Sequence, residues 1–289
     1  MAETTVPVDL RNPGQVFACL GLVEAAIVLC GDAEGAFDWS QPADCCFCIR
    51  TPGDGDPVGR VLAFLAQAKV DSLAPAGSGN STAKWKVPTT ALVPGAPVPY
   101  PDPSSPATLP VRLRTDEAQL VIDHFGDFTR RDNVKFWAGS GGYPAAALTV
   151  DALELVRERM HEAAADPFAV AAPQSSSFRL DWRRDYVPLD AGFSPNVHTR
   201  IEMVGYPLVE LLGAIGLTHA RPQRLHKLAY RYAVAAGDGD GLLPAALLRA
   251  ALGGARLPFP MRRFRMNLGW PGQENQARCI VDVTEEASP

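Results

Sequence analysis

Cysteine is scarce in this chain of 289 residues, and the arrangement of its six cysteines argues against two classes of protein. Small secreted proteins carry dense disulfide frameworks, which six thiols in a chain of this length do not form. Cys45, Cys46 and Cys48 are closely spaced, but a structural zinc site needs a second ligand pair, and the sequence offers none. We therefore expect free thiols, no bound metal, no cofactor and a reducing, cytoplasmic location. The other cysteines are Cys19, Cys30 and Cys279.

A secretion signal and a long hydrophobic run are also missing from the sequence. The first ten residues, MAETTVPVDL, contain neither the basic segment nor the apolar core of a signal peptide. No apolar run reaches the length of roughly 20 residues that a membrane-spanning helix needs. Apolar residues nevertheless make up 47% of the chain, enough for the core of one large or two modest domains. We expect no membrane partner.

The usual motifs of catalysis are absent. The segment 192–196, Gly-Phe-Ser-Pro-Asn, lacks the last glycine of a nucleophile elbow, and Pro195 has no backbone N–H for an oxyanion hole. The segment 139–142, Gly-Ser-Gly-Gly, is not followed by the Lys-Ser/Thr of a phosphate-binding loop. The five histidines form no metalloprotease motif, so we expect a protein that is not an enzyme. A metal-dependent nuclease or hydrolase remains the alternative, with the candidates His198, Asp190 and Asp185.

Positive charge is distributed unevenly along this acidic chain, whose formal net charge is −5. Residues 1–120 hold 8 Lys and Arg against 13 Asp and Glu, a net of −5. Residues 221–265 hold 9 Lys and Arg against 2 Asp, a net of +7. Phosphate backbones respond to the local field, so a basic segment in an acidic protein predicts a nucleic-acid contact. A solvated surface matched by the acidic half is the alternative.

Two other features contribute candidate contacts. Residues 129–142 combine cations with glycines and with Phe136 and Trp137, which suits backbone binding with base stacking, or else a surface turn with packed aromatics. In residues 261–268, arginines alternate with apolar residues, which predicts a strand with one basic face. The complete set of predicted nucleic-acid-binding residues is Arg130, Arg131, Lys135, Arg183, Arg184, Arg221, Arg224, Lys227, Arg231, Arg262, Arg263 and Arg265.

Residues 178–183 show the clearest strand pattern of the chain, between turn-forming residues on both sides. Apolar and charged side chains alternate there, as expected of a half-buried strand whose apolar members face the core. The apolar members are Phe178, Leu180 and Trp182, and the charged members are Arg179, Asp181 and Arg183.

The remaining patterns predict a mixed fold. We expect helices over 16–29, 58–70, 149–165 (capped by Thr149), 206–217 and 244–252. We expect strands over 36–39, 44–50, 109–113, 119–128, 225–235, 261–268 and 278–284. Without regular βαβ alternation, this order favours an α+β fold of mainly antiparallel sheets with flanking helices. Residues 20–25 and 215–220 are similar, a hint of duplication that would suit two RRM-like or ferredoxin-like halves.

We divide the chain between residues 128 and 129. The N-terminal α+β half, residues 1–128, includes a Pro/Gly-rich loop over 75–110, and loops of that length are usually functional or disordered. The C-terminal α+β half, residues 129–289, carries the basic segment.

Four segments together resemble the small effector-complex subunit family of type I-U CRISPR–Cas systems. They are Asn12-Pro13-Gly14-Gln15 with residues 18–24, the segment 135–139 (Lys-Phe-Trp-Ala-Gly), residues 166–196 and residues 206–222. The resemblance covers most of the chain but not the loop at 75–110, and it includes no catalytic signature.

The resemblance implies a part in antiviral defence, as a subunit of a Cascade-like, RNA-guided surveillance complex. In such complexes guide pairing reads the sequence while the proteins hold the backbone and read a short flanking motif. The implied partners are CRISPR RNA, target DNA, other effector subunits and the helicase-nuclease. The subunit would be a reduced large-subunit equivalent near the flanking motif, or a backbone-like piece holding guide RNA on an RRM-like sheet. A purely structural adaptor is the remaining alternative.

Overall fold

The computed structural model describes residues 1–96, 106–124, 143–184, 202–239, 241–270 and 278–287. The helices in these ranges are α1 (Pro13–Cys30), α2 (Pro57–Gln67), α3 (Ala145–Val156), α4 (Pro207–Gly216) and α5 (Ala245–Leu252). The strands are β1 (Ala2–Pro7), β2 (Glu34–Asp38), β3 (Cys46–Thr51), β4 (Lys69–Ala74), β5 (Thr89–Ala91), β6 (Val111–Arg114), β7 (Gln119–Ile122), β8 (Ala172–Pro173), β9 (Val204–Gly205), β10 (Gln223–His226), β11 (Ala229–Ala235), β12 (Leu243–Pro244), β13 (Met261–Gly269) and β14 (Cys279–Glu286).

The described strands form three four-stranded sheets and one two-stranded sheet. We call them the N-terminal sheet (order β1-β3-β2-β12), the middle sheet (β5-β4-β6-β7) and the C-terminal sheet (β10-β11-β13-β14), with β8-β9 as the short pair. Neighbouring strands are antiparallel throughout, except for β4 and β5, which are parallel. The predicted α+β class with mainly antiparallel sheets and flanking helices is confirmed.

The two predicted halves share one hydrophobic core. Buried residues from both sides of position 128 belong to a single cluster, and β12 from the second half completes the N-terminal sheet by pairing Leu243 with Gly35. The first half has the order strand–helix–hairpin–helix–strand from β1 to β4, and the second half has it from β9 to β13 with the extra strand β12 before α5. The halves also differ because β4 belongs to the middle sheet and does not join β1. The division at residue 128 stays a prediction, and its boundary falls outside the described residues.

The core is centred on α1, which is capped at both ends by its own sequence. The Asn12 side chain accepts a hydrogen bond from the Gly14 N–H at 3.1 Å, and Pro13 occupies the first turn, where its missing N–H costs nothing. The helix ends at Gly31, whose φ of +89° favours glycine. Contrary to the sequence-based expectation, α1 is long and apolar enough to cross a membrane, but 78% of it is buried in the fold, as in a core helix. The cytoplasmic location stays a prediction.

Helices α1 and α4 cross backbone to backbone at two glycines. A Cβ added to Gly21 would lie 1.9 Å from the Leu212 carbonyl oxygen, and a Cβ added to Gly216 would lie 2.0 Å from the Phe17 carbonyl oxygen. A side chain at either position would therefore push the helices apart. These glycines occupy matching positions in the two similar segments, 20–25 and 215–220. The two similar segments therefore lie on helices that pack against each other, α1 and α4.

The predicted strand over 178–183 is wrong, because its backbone groups bond to a side chain instead of a neighbouring strand. The backbone N–H groups of Leu180 and Asp181 donate to the Glu210 carboxylate on α4, and Arg179 adopts a φ of +64°. The expected facing of side chains is reversed at the end of the segment, where Asp181 is fully buried and Trp182 is 37% exposed. Alternation of apolar and charged residues therefore does not distinguish a strand from an irregular segment whose backbone N–H groups bond to a buried carboxylate.

Other elements also differ from the prediction, among them the strand expected over 119–128, which is β7 and ends at Ile122. The helix expected over 149–165 is α3, which starts at Ala145, and Thr149 lies within it, donating to the Ala145 carbonyl oxygen at 2.9 Å instead of capping it. The helix expected over 58–70 ends at Gln67, since Lys69 already pairs in β4. The strand expected over 225–235 is a hairpin of β10 and β11. The expected loop at 75–110 contains β5, and its residues 97–105 lie outside the described ranges.

The helix crossing gives a prediction for stability. Replacing Gly21→Ala or Gly216→Ala should lower the free energy of unfolding by about 1–3 kcal/mol each, because the added methyl group meets a backbone carbonyl. The matched control is Gly253→Ala at the end of α5, where the nearest atom to a Cβ is 3.5 Å away. Chemical denaturation of the three variants measures the difference. Equal stability of all three would contradict the tight crossing.

Candidate nucleic-acid interface

The C-terminal sheet presents arginines on one face. Along β13 the residues Phe264, Met266 and Leu268 are buried, while Arg263 and Arg265 alternate with them, so the predicted basic face of this strand is confirmed. Strand β11 places Arg231 directly opposite Arg265, and opposed residues of paired strands share a face. We call Arg231, Arg263 and Arg265 the arginine face.

The opposite face of this sheet fixes it to the core. The Tyr232 ring stacks on Phe264 with centroids 5.2 Å apart and meets Phe17 of α1 edge-on at 6.0 Å. The Tyr232 hydroxyl, fully buried, donates to the Leu10 carbonyl oxygen at 2.8 Å. These contacts anchor β11 and β13 to the core, so the strand positions that carry the arginines are fixed.

The three arginines of this face differ in their partners. Arg231 forms a two-point ion pair with Glu286, and its hydrogen bond is the main cause of the lowered pKa of that carboxyl group. Arg263 and Arg265 form no ion pair with any residue that the structure describes, and Arg265 is exposed. The arginine face therefore offers two guanidinium groups to a ligand, with the third already engaged.

Arg262 points to the other face and has a structural partner. Its Nε and Nη2 donate to the two carboxylate oxygens of Glu285 at 2.7 and 2.6 Å, which lowers the pKa of Glu285. Arg262 and Arg183 line one cleft of about 970 Å³ together with Arg11. Three carboxylates also line this cleft, so its charge is balanced; they belong to Asp9, Asp44 and Asp166.

Arg183 and Arg184 are tied into the fold. Arg183 donates to both oxygens of the buried Asp181, with Nη2 at 2.5 Å from Oδ2, and its guanidinium carbon lies 3.4 Å from the centre of the Tyr206 ring. Arg184 is buried and donates to the Ser175 carbonyl oxygen at 2.8 Å. Because the segment predicted as a strand is irregular, these arginines serve its internal hydrogen bonding and do not extend the arginine face.

The other predicted contacts are dispersed. Arg221 is half-buried and donates to the His124 carbonyl oxygen at 3.2 Å, and burial lowers its pKa. Arg224 is exposed opposite Tyr230, on the other side of the sheet from Arg231, and Lys227 lies in the β10–β11 turn. The remaining candidates lie outside the described residues; they are Arg130, Arg131 and Lys135, with His198, Asp190 and Asp185 of the hydrolase alternative.

The described residues show no cluster of metal-ligating side chains. Within them no three His, Cys, Asp or Glu side chains converge as metal ligands, and none of the cysteines forms a disulfide. Burial lowers the pKa of His124 to about 3, so its ring is neutral, with Nε2 at 2.8 Å from the Ala214 carbonyl oxygen. This histidine is a structural element of the core. That the protein is not an enzyme stays a prediction.

Sequence analysis missed a second group of cations, because it searched for basic segments by net charge and residues 1–120 are acidic overall. Lys69, Arg112 and Arg114 share one face of the middle sheet. The alternation Val111-Arg112-Leu113-Arg114 was the local signal for it, because it predicts a strand with one basic face.

Glu210 is a buried carboxyl group that affects stability near neutral pH. Burial raises its pKa to about 7, although the backbone N–H groups of Asp181 and Leu180 bond to it, and the nearby Asp181 charge raises it further. A raised pKa in the folded state gives a stabilising contribution that is present in acid and lost as the pH rises through about 7.

Removing this titration should change the pH dependence of stability. Glu210→Gln keeps an oxygen acceptor for the two backbone N–H groups and carries no charge. We expect the decline in unfolding free energy between mildly acidic and mildly alkaline pH to flatten in this variant, relative to the wild type and to Glu162→Gln, an exposed control. Denaturant titrations across that pH range measure it, and parallel profiles for all three proteins would refute this role of Glu210.

Comparison of the chain with protein-family models, with curated proteins and with solved structures finds no match. A function must therefore be inferred from the side chains themselves.

Proposed function

We propose that this chain is a non-catalytic subunit of a type I CRISPR RNA-guided surveillance complex, whose arginine face binds the sugar-phosphate backbone of guide RNA or target DNA. Its partners in this role are CRISPR RNA, target DNA, the other effector subunits and the helicase-nuclease. The sequence resemblance to the type I-U subunit family suggests the complex. The observation that carries the binding role is the pair Arg263 and Arg265 on one face of β13. Neither forms an ion pair with a described residue, although Glu286 lies opposite Arg263 and its carboxylate, bonded to Arg231, interacts electrostatically with both.

The chemistry of this face suits phosphates better than bases. Guanidinium groups make forked, charge-assisted hydrogen bonds to phosphate oxygens. The described aromatic residues of β11 and β13, namely Tyr230, Tyr232 and Phe264, alternate with the arginines and are buried on the opposite side. Base stacking on this face therefore has no described platform. We infer that binding here is independent of sequence, as expected when guide pairing does the reading.

Only part of the predicted residue set supports this role. Arg262 and Arg183 are excluded from the proposed contact because each neutralises a carboxylate, and Arg184 because it is buried. Removing Arg183 would leave the buried Asp181 without its ion-pair partner, and removing Arg184 would empty a buried site, so either change would destabilise the fold whatever the ligand. Among the described residues of the predicted set, Arg263 and Arg265 are therefore the ones chosen for the binding test.

Replacing both residues in the variant Arg263→Gln/Arg265→Gln should weaken binding and reduce its dependence on salt. Each phosphate contact to a single strand contributes about 0.7 to the slope of log affinity against log salt concentration. We therefore expect the slope to become shallower by about 1.4 for two lost contacts. Fluorescence anisotropy with a labelled single-stranded oligonucleotide of mixed sequence, as RNA and as DNA, measures the affinity over a salt series.

The control is Arg60→Gln/Arg159→Gln, which removes the same charge from two arginines outside the arginine face, the exposed Arg60 and the half-buried Arg159. It should bind with the wild-type slope. A wild-type protein without salt-dependent binding, or equal slopes for the wild type and Arg263→Gln/Arg265→Gln, would refute the proposed function. Cleavage of the oligonucleotide in the presence of a divalent metal would favour the nuclease alternative.

A further inference from the structure

The middle sheet carries a second group of cations on one face. Lys69 of β4 lies directly opposite Arg114 of β6, and Asp71 lies directly opposite Arg112. The intervening residues of β6, Val111 and Leu113, are fully buried, so the cations stand on the side of the sheet away from the core. We call Lys69, Arg112 and Arg114 the middle-sheet cluster.

One buried carboxylate organises this cluster. Arg112 donates to Asp71 with Nη2 at 2.5 Å and Nε at 3.3 Å, Arg114 donates with Nε at 3.2 Å, and the Thr90 hydroxyl donates at 2.5 Å. The Asp71 side chain is only 3% exposed. Its burial would raise the pKa of the carboxyl group, but the hydrogen bonds from Arg112, Thr90 and Arg114 outweigh burial and lower it. Asp71 is therefore ionised over the physiological range and fixes both guanidinium groups.

The cluster keeps excess positive charge and open donors. Two arginines and one lysine around a single carboxylate leave a local net charge of +2. Arg114 uses only Nε in its ion pair with Asp71, and its side chain is 43% exposed, so its two terminal nitrogens are left as donors for a ligand. Lys69 is exposed beside it. A guanidinium fork with an adjacent ammonium is the donor set that phosphate oxygens accept.

We propose that the middle-sheet cluster is a second phosphate-binding surface, which contacts the sugar-phosphate backbone of the nucleic acid that this subunit binds. The inference rests on the proposed function, because it assigns the cluster to the same class of ligand as the arginine face. A nucleic-acid backbone suits the cluster because its phosphates carry regularly spaced negative charges, and the three cations lie side by side on the neighbouring strands β4 and β6. Asp71 is a positioning residue, and Lys69 and Arg114 make the contact.

The test uses the variant Lys69→Gln/Arg114→Gln, which leaves the Arg112–Asp71–Thr90 hydrogen bonds intact. With the same labelled oligonucleotide, we expect the salt slope to become shallower by about 1.4. Combined with Arg263→Gln/Arg265→Gln, the loss should reach about 2.8, since the two surfaces make separate contacts. Unfolding in denaturant should change only modestly, because Arg112 and Thr90 still bond to the buried Asp71 when the Arg114 Nε contact is lost.

The outcomes separate this inference from the function on which it rests. A wild-type protein without salt-dependent binding refutes the proposed function. If Arg263→Gln/Arg265→Gln changes the slope and Lys69→Gln/Arg114→Gln does not, only the second surface is refuted. Binding of polyglutamate in place of the oligonucleotide, lost in Lys69→Gln/Arg114→Gln, would assign the cluster to an acidic protein and overturn the proposal.

Discussion

The close crossing of α1 and α4 is the contact on which the rest of the structure depends. Gly21 and Gly216 let the two backbones touch, and this contact joins residues from both sides of position 128 into one core. The N-terminus of α1 contacts the irregular segment 178–183 through the hydrogen bond from Asn12 Nδ2 to Asp181. Further along α1, Phe17 packs against Tyr232 of the C-terminal sheet. Both the internal polar network and the arginine face are thus positioned from a single helix.

Carboxylate partners divide the arginines of this protein into structural and exposed groups. Arg249 with Glu24 and Arg262 with Glu285 each form a forked pair that joins two elements, and Arg183 with Asp181 forms one within the irregular segment 178–183. Arginines of this kind add little field outside the protein, because their charge is cancelled within a few ångströms. Arg263, Arg265 and the terminal nitrogens of Arg114 are different in having no such partner among the described residues. Net charge by segment does not reveal this division.

The sequence predicted the elements well and the site only in part. Periodicity located α1, α4, α5 and the β13–β14 hairpin, because their apolar faces pack on one continuous core. It failed at residues 178–183, where Glu210, distant in sequence, takes the hydrogen bonds that a strand would give to its neighbour. The alternation of arginines with apolar residues identified the basic face of β13, because alternate residues of a strand point to the same side of the sheet. The sequence also placed Arg262 in the same binding set as Arg263 and Arg265, although it lies on the opposite face. Ion pairs such as Arg262–Glu285 depend on strand register, which composition does not contain.

Arginine footprinting tests the central claim most directly. An arginine-selective dicarbonyl reagent modifies exposed guanidinium groups, and mass spectrometry of the digested protein reports the rate at each site. The account predicts that an added single-stranded oligonucleotide protects Arg263 and Arg265 at low salt, that high salt removes the protection, and that Arg60 reacts equally in all conditions. Equal modification of Arg263 and Arg265 with and without the oligonucleotide would contradict it.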